Sequence, residues 1–198
     1  MASIFIGLCW TLPAGLAIGL SQRLSRIFQP IVQVAASFPA PMLFPAVVAV
    51  LASLRIGLGW GSIALMLLGT QWYILFNVIA GASAFPTDLR EAASSFHLGG
   101  WRWWVKAVLP GIFPYYITGA ITASGGSWNA SIVAEVASWG NEHLTAKGLG
   151  AYIAKATEAG DFPRVVLGIS VMCILVTLFN RLLWRPLYGF GERRLRLG

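Results

Sequence analysis

Residues 57–81 read Gly57-Leu-Gly-Trp-Gly-Ser-Ile-Ala-Leu-Met-Leu-Leu-Gly-Thr-Gln-Trp-Tyr-Ile-Leu-Phe-Asn-Val-Ile-Ala-Gly81, with no Asp, Glu, Lys, Arg or His among them. As a helix at about 1.5 Å per residue the stretch covers roughly 37 Å, more than the ~30 Å hydrocarbon core of a bilayer. It lies in a charge-free run from 56 to 87, and the pattern repeats on both sides. Residues 1–22, 27–54, 107–134 and 165–180 also lack Asp, Glu, Lys and Arg. Over the 198 residues, 57% are hydrophobic and 11% charged, and the mean hydropathy is +0.72. Soluble domains carry about 25% charge. The chain reads as an integral membrane protein, all-α and polytopic, and a soluble enzyme is excluded.

Five spans are expected, at about 4–20, 30–54, 57–81, 107–128 and 164–184, together forming one transmembrane domain over 1–184. A basic tail follows at 185–198. The connecting segments are polar: Ser21–Arg26, the tight Arg55–Gly59 turn, Ala84–Lys106 and Glu135–Pro163. Lys and Arg favour the cytoplasmic side. Placing 21–26, 84–106 and the tail inside puts ten basic residues there: Arg23, Arg26, Arg90, Arg102, Lys106, Arg181, Arg185, Arg193, Arg194 and Arg196. Four remain outside: Arg55, Lys147, Lys155 and Arg164. The N-terminus is then outside and the C-terminus in the cytoplasm. Met1 enters hydrocarbon almost directly, so either a C-terminal piece of a longer protein or an unusual start is expected, the piece being favoured. The formal charge of +7 follows from these helix ends, and nucleic acid is not an expected partner. Cys9 and Cys173 sit in apolar spans and read as packing residues.

Several chemistries are missing from the sequence. No G-x4-G-K-[ST] loop cradles phosphates. His97 and His143 lie on opposite faces, so no metal site is expected. The chain is not expected to be an enzyme or to hold a cofactor. The informative connector runs from Pro86 to Pro110. Thr87 or Asp88 suits an N-cap, a short helix is expected from 88 to 97, and Gly99-Gly100 should end it. Ala92 and Ala93 leave a low surface that another protein's groove could approach. Trp101, Trp103 and Trp104 interleave with Arg102 and Lys106 as a headgroup belt.

Glu91-Ala92-Ala93, followed by Leu109-Pro110, resembles the EAA loop of permease subunits of binding-protein-dependent ABC importers, whose pattern is E-A-A-x3-G-x9-I-x-L-P. His97 replaces the glycine and Ala107 the isoleucine, while Gly99 and Gly100 follow closely. The resemblance implies the type I importer fold and a coupling helix docking on a separate cytoplasmic ABC ATPase. Asp88, Glu91, Ala92, Ala93, Phe96, His97, Gly99, Leu109 and Pro110 would form the coupling site. The proline-broken Pro30–Pro45 stretch, the Ser124–Ser131 stretch with Glu135 following, and the Trp184-Arg185-Pro186-Leu187-Tyr188 ending are similar to the nitrate/sulfonate/taurine-type permeases. More narrowly, the chain is similar to the C-terminal half of long duplicated members, and these similarities imply that a helix normally preceding residue 4 is missing. The family also implies an extracytoplasmic substrate-binding protein, a second permease unit making a dimer or pseudo-dimer, a bacterial cytoplasmic-membrane location and a small anion as substrate.

Polar residues inside apolar spans must find partners or line a wet path. Asn77, Ser124, Gly125, Gly126, Trp128 and Asn129 are the path candidates, with 124–131 expected as an interrupted helix. Packing by small residues is the competing reading for each. Glu135 is expected at the outer mouth, exposed or paired with Lys147, and Arg55 is expected as an interfacial anchor. A short outer helix is expected over 149–159, ending at Gly160. Two rival functions stand beside the importer. An ATP-independent carrier or channel would want ionisable groups in mid-membrane, and none of the spans has one. A truncated, non-functional fragment is the other.

Overall fold

The computed structural model describes residues 2–139 and 142–195. Met1, Gly140 and Arg196, which enter the sequence reading, lie outside the described residues. The chain forms α1 (Ala2–Leu20), α2 (Gln22–Ser37), α3 (Ala40–Ser53), α4 (Leu58–Ser83), α5 (Thr87–Ser95), α6 (Gly100–Trp103) and α7 (Leu109–Ala134). After these come a two-stranded antiparallel hairpin, β1 (Val136–Trp139) with β2 (Glu142–Thr145), then α8 (Leu149–Glu158), α9 (Phe162–Phe179) and α10 (Arg185–Leu195). The fold is all-α apart from this short hairpin, in which Val136 faces Thr145 and Trp139 faces Glu142.

Among the described residues, three helical stretches are long and apolar enough to cross a membrane: Ala2–Leu20, Gly59–Ser83 and Phe162–Arg193. The single span expected over 30–54 is instead two helices, α2 and α3, bent by 82°. The sequence shows why. Phe38 precedes Pro39, which fixes an extended conformation before it, and Pro39 cannot donate to the α2 ladder. Phe38 accordingly sits at φ −72°, ψ 127°. α7 is long enough to cross as well, with 26 residues, but its prolines, tyrosines and small polar residues make it less apolar.

α4 is the hub. α1 packs along one side of it through Gly15 and Gly19, a small-xxx-small pair that lets the two backbones approach. A Cβ on Gly19 would lie 2.5 Å from Ala82 Cβ, and one on Gly15 would lie 2.6 Å from Val78 Cγ1. α7 packs on another side of α4, where Gly119 meets Asn77 and the Ile74 backbone. Ile4, Leu16, Ile74, Val78, Ala82, Val108, Ile112, Ala120 and Ala123 form the shared core, capped by Phe85 and Trp184. A third side of α4 takes α2 and α3: Val32 meets Leu75 and Ile79, and Phe44 with Val48 meets Leu65.

Two π-helical turns, Trp104–Val108 and Asn180–Trp184, each lie just before a proline, Pro110 and Pro186. Proline removes a donor and its ring collides with the carbonyl four residues back. Widening the preceding turn relieves that collision, which is the usual origin of a local π-turn.

Candidate functional site

α5 is built as a peg at the end of the bundle where α1 and α4 terminate. Its inner side is held by Ala93, only 5% exposed, and by Leu89 packed on the main core. Phe85 on its entry side meets Trp103 edge-on at 5.5 Å. Its outer side carries Glu91 and Ala92, both exposed, and Phe96 at the tip is 78% exposed. Glu91, Ala92 and Phe96 are thus presented together, whereas Ala93 belongs to the packing. Cavities of about 390 Å³ and 190 Å³ flank the peg, the first lined by Arg90, Ala93 and Trp103, the second by Ala92, Phe96, Lys106 and Pro110.

Two local expectations are corrected. The N-cap is Pro86, with Thr87 and Asp88 already inside the helix, and no side chain caps it. Asp88 in the first turn still complements the helix dipole. The helix does not run to 97 or end at Gly99-Gly100; it ends at Ser95. His97 adopts φ 52°, the Leu98 N–H bonds Ala93 O at 2.8 Å, and the His97 N–H bonds Ser94 O at 3.0 Å. That pair of bonds is a Schellman ending, whose left-handed residue is usually glycine. His97 therefore occupies the position where the EAA pattern places glycine. Its Nδ1 lies 3.2 Å from Ser95 O, a local bond that helps hold the turn. Gly99 is the N-cap residue of α6, and Leu109-Pro110 open α7 behind the first π-turn.

The path candidates separate into two groups. α7 is one uninterrupted helix through Gly125-Gly126, contrary to the expected break at 124–131. Gly126 is pressed against the Tyr73 ring and near Thr70, and the Ser127 hydroxyl donates to Ala123 O at 2.9 Å. Interhelical packing thus holds a segment whose glycines would weaken an isolated helix. Ser124 and Ser127 are buried, and Trp128 is half-buried with its ring 5.9 Å from Phe179 of α9. Ser124 and Ser127 thus belong to the packing, and Trp128 lies against α9.

Thr118, Thr122, Gly125 and Asn129 are all exposed, and their spacing of three or four places them along one face of α7. The neighbouring face of α4 adds Tyr73, 43% exposed, and Ala80. At the end of this strip nearest α5 is a cavity of about 560 Å³ lined by Asn77, Tyr115, Thr118, Tyr188 and Glu192 among others. Asn77 donates to Tyr73 O at 2.8 Å, leaving its carbonyl oxygen free for the cavity. Asn77, Gly125 and Asn129 therefore lie along one polar strip. Thr118 and Thr122 escaped the sequence reading, although their spacing with Gly125 and Asn129 was available to find them.

Glu135 is also corrected. Its carboxylate Oε2 accepts from the Ala151 N–H at 2.9 Å, close against Gly148, so its partner is the N-terminus of α8 rather than Lys147. Gly150 is packed onto the Ser131 backbone, and a side chain at either glycine would push α8 off α7. α8 itself ends at Gly160 in a second Schellman turn. Arg55 is exposed at φ 56° and closes α3 in the same way.

Comparison with known proteins gives a consistent picture. The family described as "Binding-protein-dependent transport system inner membrane component" matches residues 11–196. The chain is similar to the nitrate import permease protein of Leptolyngbya laminosa, 27% identical over 168 residues, covering 85% of this chain and 57% of that protein. It is similar to the bicarbonate transport system permease protein of Synechococcus elongatus, 26% identical over 173 residues, covering 84% and 57%. It is also similar to the taurine transport system permease protein of Escherichia coli, 28% identical over 185 residues, covering 91% and 62%. The chain thus spans about three fifths of the length of these relatives.

Proposed function

The chain belongs to the family of binding-protein-dependent transport system inner membrane components, and on that premise we propose that it is the permease subunit of an ATP-driven importer of a small anion. ATP is hydrolysed on a separate cytoplasmic ATPase, and α5 is the element that ATPase grips. An extracytoplasmic binding protein delivers the substrate, and a second permease unit completes the path. The N-terminus faces out and the C-terminus in, which puts α5 and the basic tail on the cytoplasmic side of a bacterial inner membrane. The anion class follows from the relatives, which carry the names of nitrate, bicarbonate and taurine transport.

The shape of α5 carries this reading. A short helix is anchored from within by Ala93 and Leu89, yet presents Ala92 and Phe96 outward. A buried Phe side chain gains about 1.5–3 kcal/mol over an exposed one. Leaving Phe96 in water at the tip fits a surface that is covered in a complex. The peg also has short arms to the bundle. Only Ala84, Phe85 and Pro86 separate it from α4, and Leu98 and Gly99 lead into the α6–α7 run. A push on α5 therefore reaches α4 through Phe85 and α7 through Trp103, tilting the two helices that bear the polar strip. Closure of the ATPase dimer supplies that push.

Co-purification tests the proposal. The tagged chain is co-expressed with the ATPase encoded beside it and solubilised in detergent. Wild type retains the ATPase, and Ala92→Glu loses it while remaining monodisperse. Retention by both, or by neither, contradicts the role assigned to α5.

A further inference from the structure

α2 is divided into three faces. Ser25, Gln29, Val32 and Ala36 are its buried and half-buried residues and form the packing side. Leu24, Ile27, Ile31 and Val34 are exposed on an apolar flank. Gln22, Arg26, Gln33 and Ser37 are exposed on the opposite flank, spaced by four or seven so that they form one stripe. A helix of this kind often lies flat on a membrane surface, but the packing of α2 does not suit that placement. Starting beside the end of α1, it reaches Leu75 and Ile79 with Val32. Just beyond its end, Ala40 stands 3.6 Å from a Cβ built on Gly69. Gly69 is 14 residues from the end of α4 at Ser83, about 21 Å along the helix. α2 therefore climbs across the inner half of the bundle, taking Gln33 and Ser37 to a depth where polar side chains need water or a partner.

The direction of the stripe follows from helix handedness. Around α4, Leu65, Leu75 and Ile79 meet α2–α3, Val78 and Ala82 meet α1, and Asn77 and Gly81 meet α7. The uncovered sector, with Tyr73 and Ala80, lies between α2–α3 and α7. α2 ascends where α4 descends, and both are right-handed. With Val32 turned to α4, the Gln22–Ser37 stripe then turns toward that sector, and the apolar flank turns away from it.

We propose that the Gln22–Arg26–Gln33–Ser37 stripe of α2 is the second wall of the translocation groove, facing the Thr118–Thr122–Gly125–Asn129 strip of α7 across the Tyr73 side of α4. This rests on the permease reading and adds to it the residues that select the cargo. The occupant is a small hydrated oxyanion. Arg26 supplies a fixed positive charge, Gln22 and Gln33 supply amide donors on the near wall, and Asn129 supplies one on the far wall. Thr118 and Thr122 already donate to the carbonyls four residues back. The groove wall thus offers one guanidinium and amides, and Glu192 brings a carboxylate only at the inner mouth, where it lines the cavity with Asn77 and Tyr188.

Thiol labelling in membrane vesicles tests this without requiring transport. Cys9 and Cys173 are free and exposed, so both are first replaced by serine. Gln33→Cys and Ser37→Cys, each alone, are then treated with 2-sulfonatoethyl methanethiosulfonate, an anion, or its trimethylammonium counterpart, a cation. Rates are normalised to a small free thiol. Arg26 lies about 10 Å from position 33 along the helix, and in a water-like dielectric one charge at that distance separates anion from cation by about fourfold. Gln33→Cys is expected to prefer the anionic reagent by about that factor, and Ser37→Cys, about 16 Å from Arg26, by about twofold. Arg26→Gln in the Gln33→Cys background is expected to bring the ratio toward one, and Val34→Cys to react with neither reagent. A preference for the cationic reagent would place the stripe against anionic headgroups, and no reaction at either 33 or 37 would place it in protein or lipid. Either result overturns the proposal. If the ATPase is still retained in such a case, the permease reading stands without this groove; if the ATPase is lost as well, both fall.

Discussion

His97 shows how one residue can keep a turn while departing from the pattern around it. The end of α5 needs a left-handed residue, and His97 supplies it at φ 52°. For an L-residue this costs roughly 1–2 kcal/mol, which glycine avoids. His97→Gly is therefore expected to preserve or raise the thermal stability of the purified chain. His97→Val, β-branched at the same φ, is expected to lower it by about 1–2 kcal/mol, seen as earlier proteolysis within 96–99. Ala92 and Ala93 are neighbours with opposite fates. Ala92→Glu leaves the melting temperature unchanged and affects only partner binding. Ala93→Glu buries a carboxylate in the core and is expected to destabilise the fold strongly. The motif was legible in the sequence, but the division of labour between its two alanines was not, because it depends on which side of α5 faces Leu89 and the core.

At the scale of elements, glycine and proline misled the sequence reading in opposite directions. Gly125-Gly126 promises a break that α7 does not have, because the Tyr73 ring fills the space beside Gly126. Pro30 reads as the start of a span, yet it sits inside α2, and the true bend falls at Phe38-Pro39. The amphipathic stripe of α2 was present in the sequence at the spacing of Gln22, Arg26, Gln33 and Ser37. Dividing that stretch between a loop and a span hid it. Gly15 and Gly19 were legible only as small residues; their role appears once Val78 and Ala82 stand opposite. Gly19→Leu is expected to force α1 from α4 at a cost of about 1–3 kcal/mol, read as a lower melting temperature in detergent. Glu135→Ala removes the acceptor at the start of α8. A loss of about 0.5–2 kcal/mol is expected, with faster amide exchange confined to 149–152.

For the whole molecule, composition and the distribution of charge made the membrane class plain, since charge-free runs of that length, repeated along one chain, match the thickness of a bilayer. The contact map was not legible. Which helices touch depends on close approaches such as Gly119 to Asn77, and no hydropathy profile carries that information. The central claim is that α5 is the cytoplasmic peg through which a separate ATPase drives these helices. Photo-crosslinking tests it directly. A benzophenone amino acid is placed at position 96, on the tip of α5, and in a second variant at position 60, the exposed tryptophan at the far end of α4. Irradiation of intact vesicles is predicted to join the ATPase to the chain from position 96 and never from position 60. An adduct from 60, or none from 96 when the ATPase is present and active, would contradict the account.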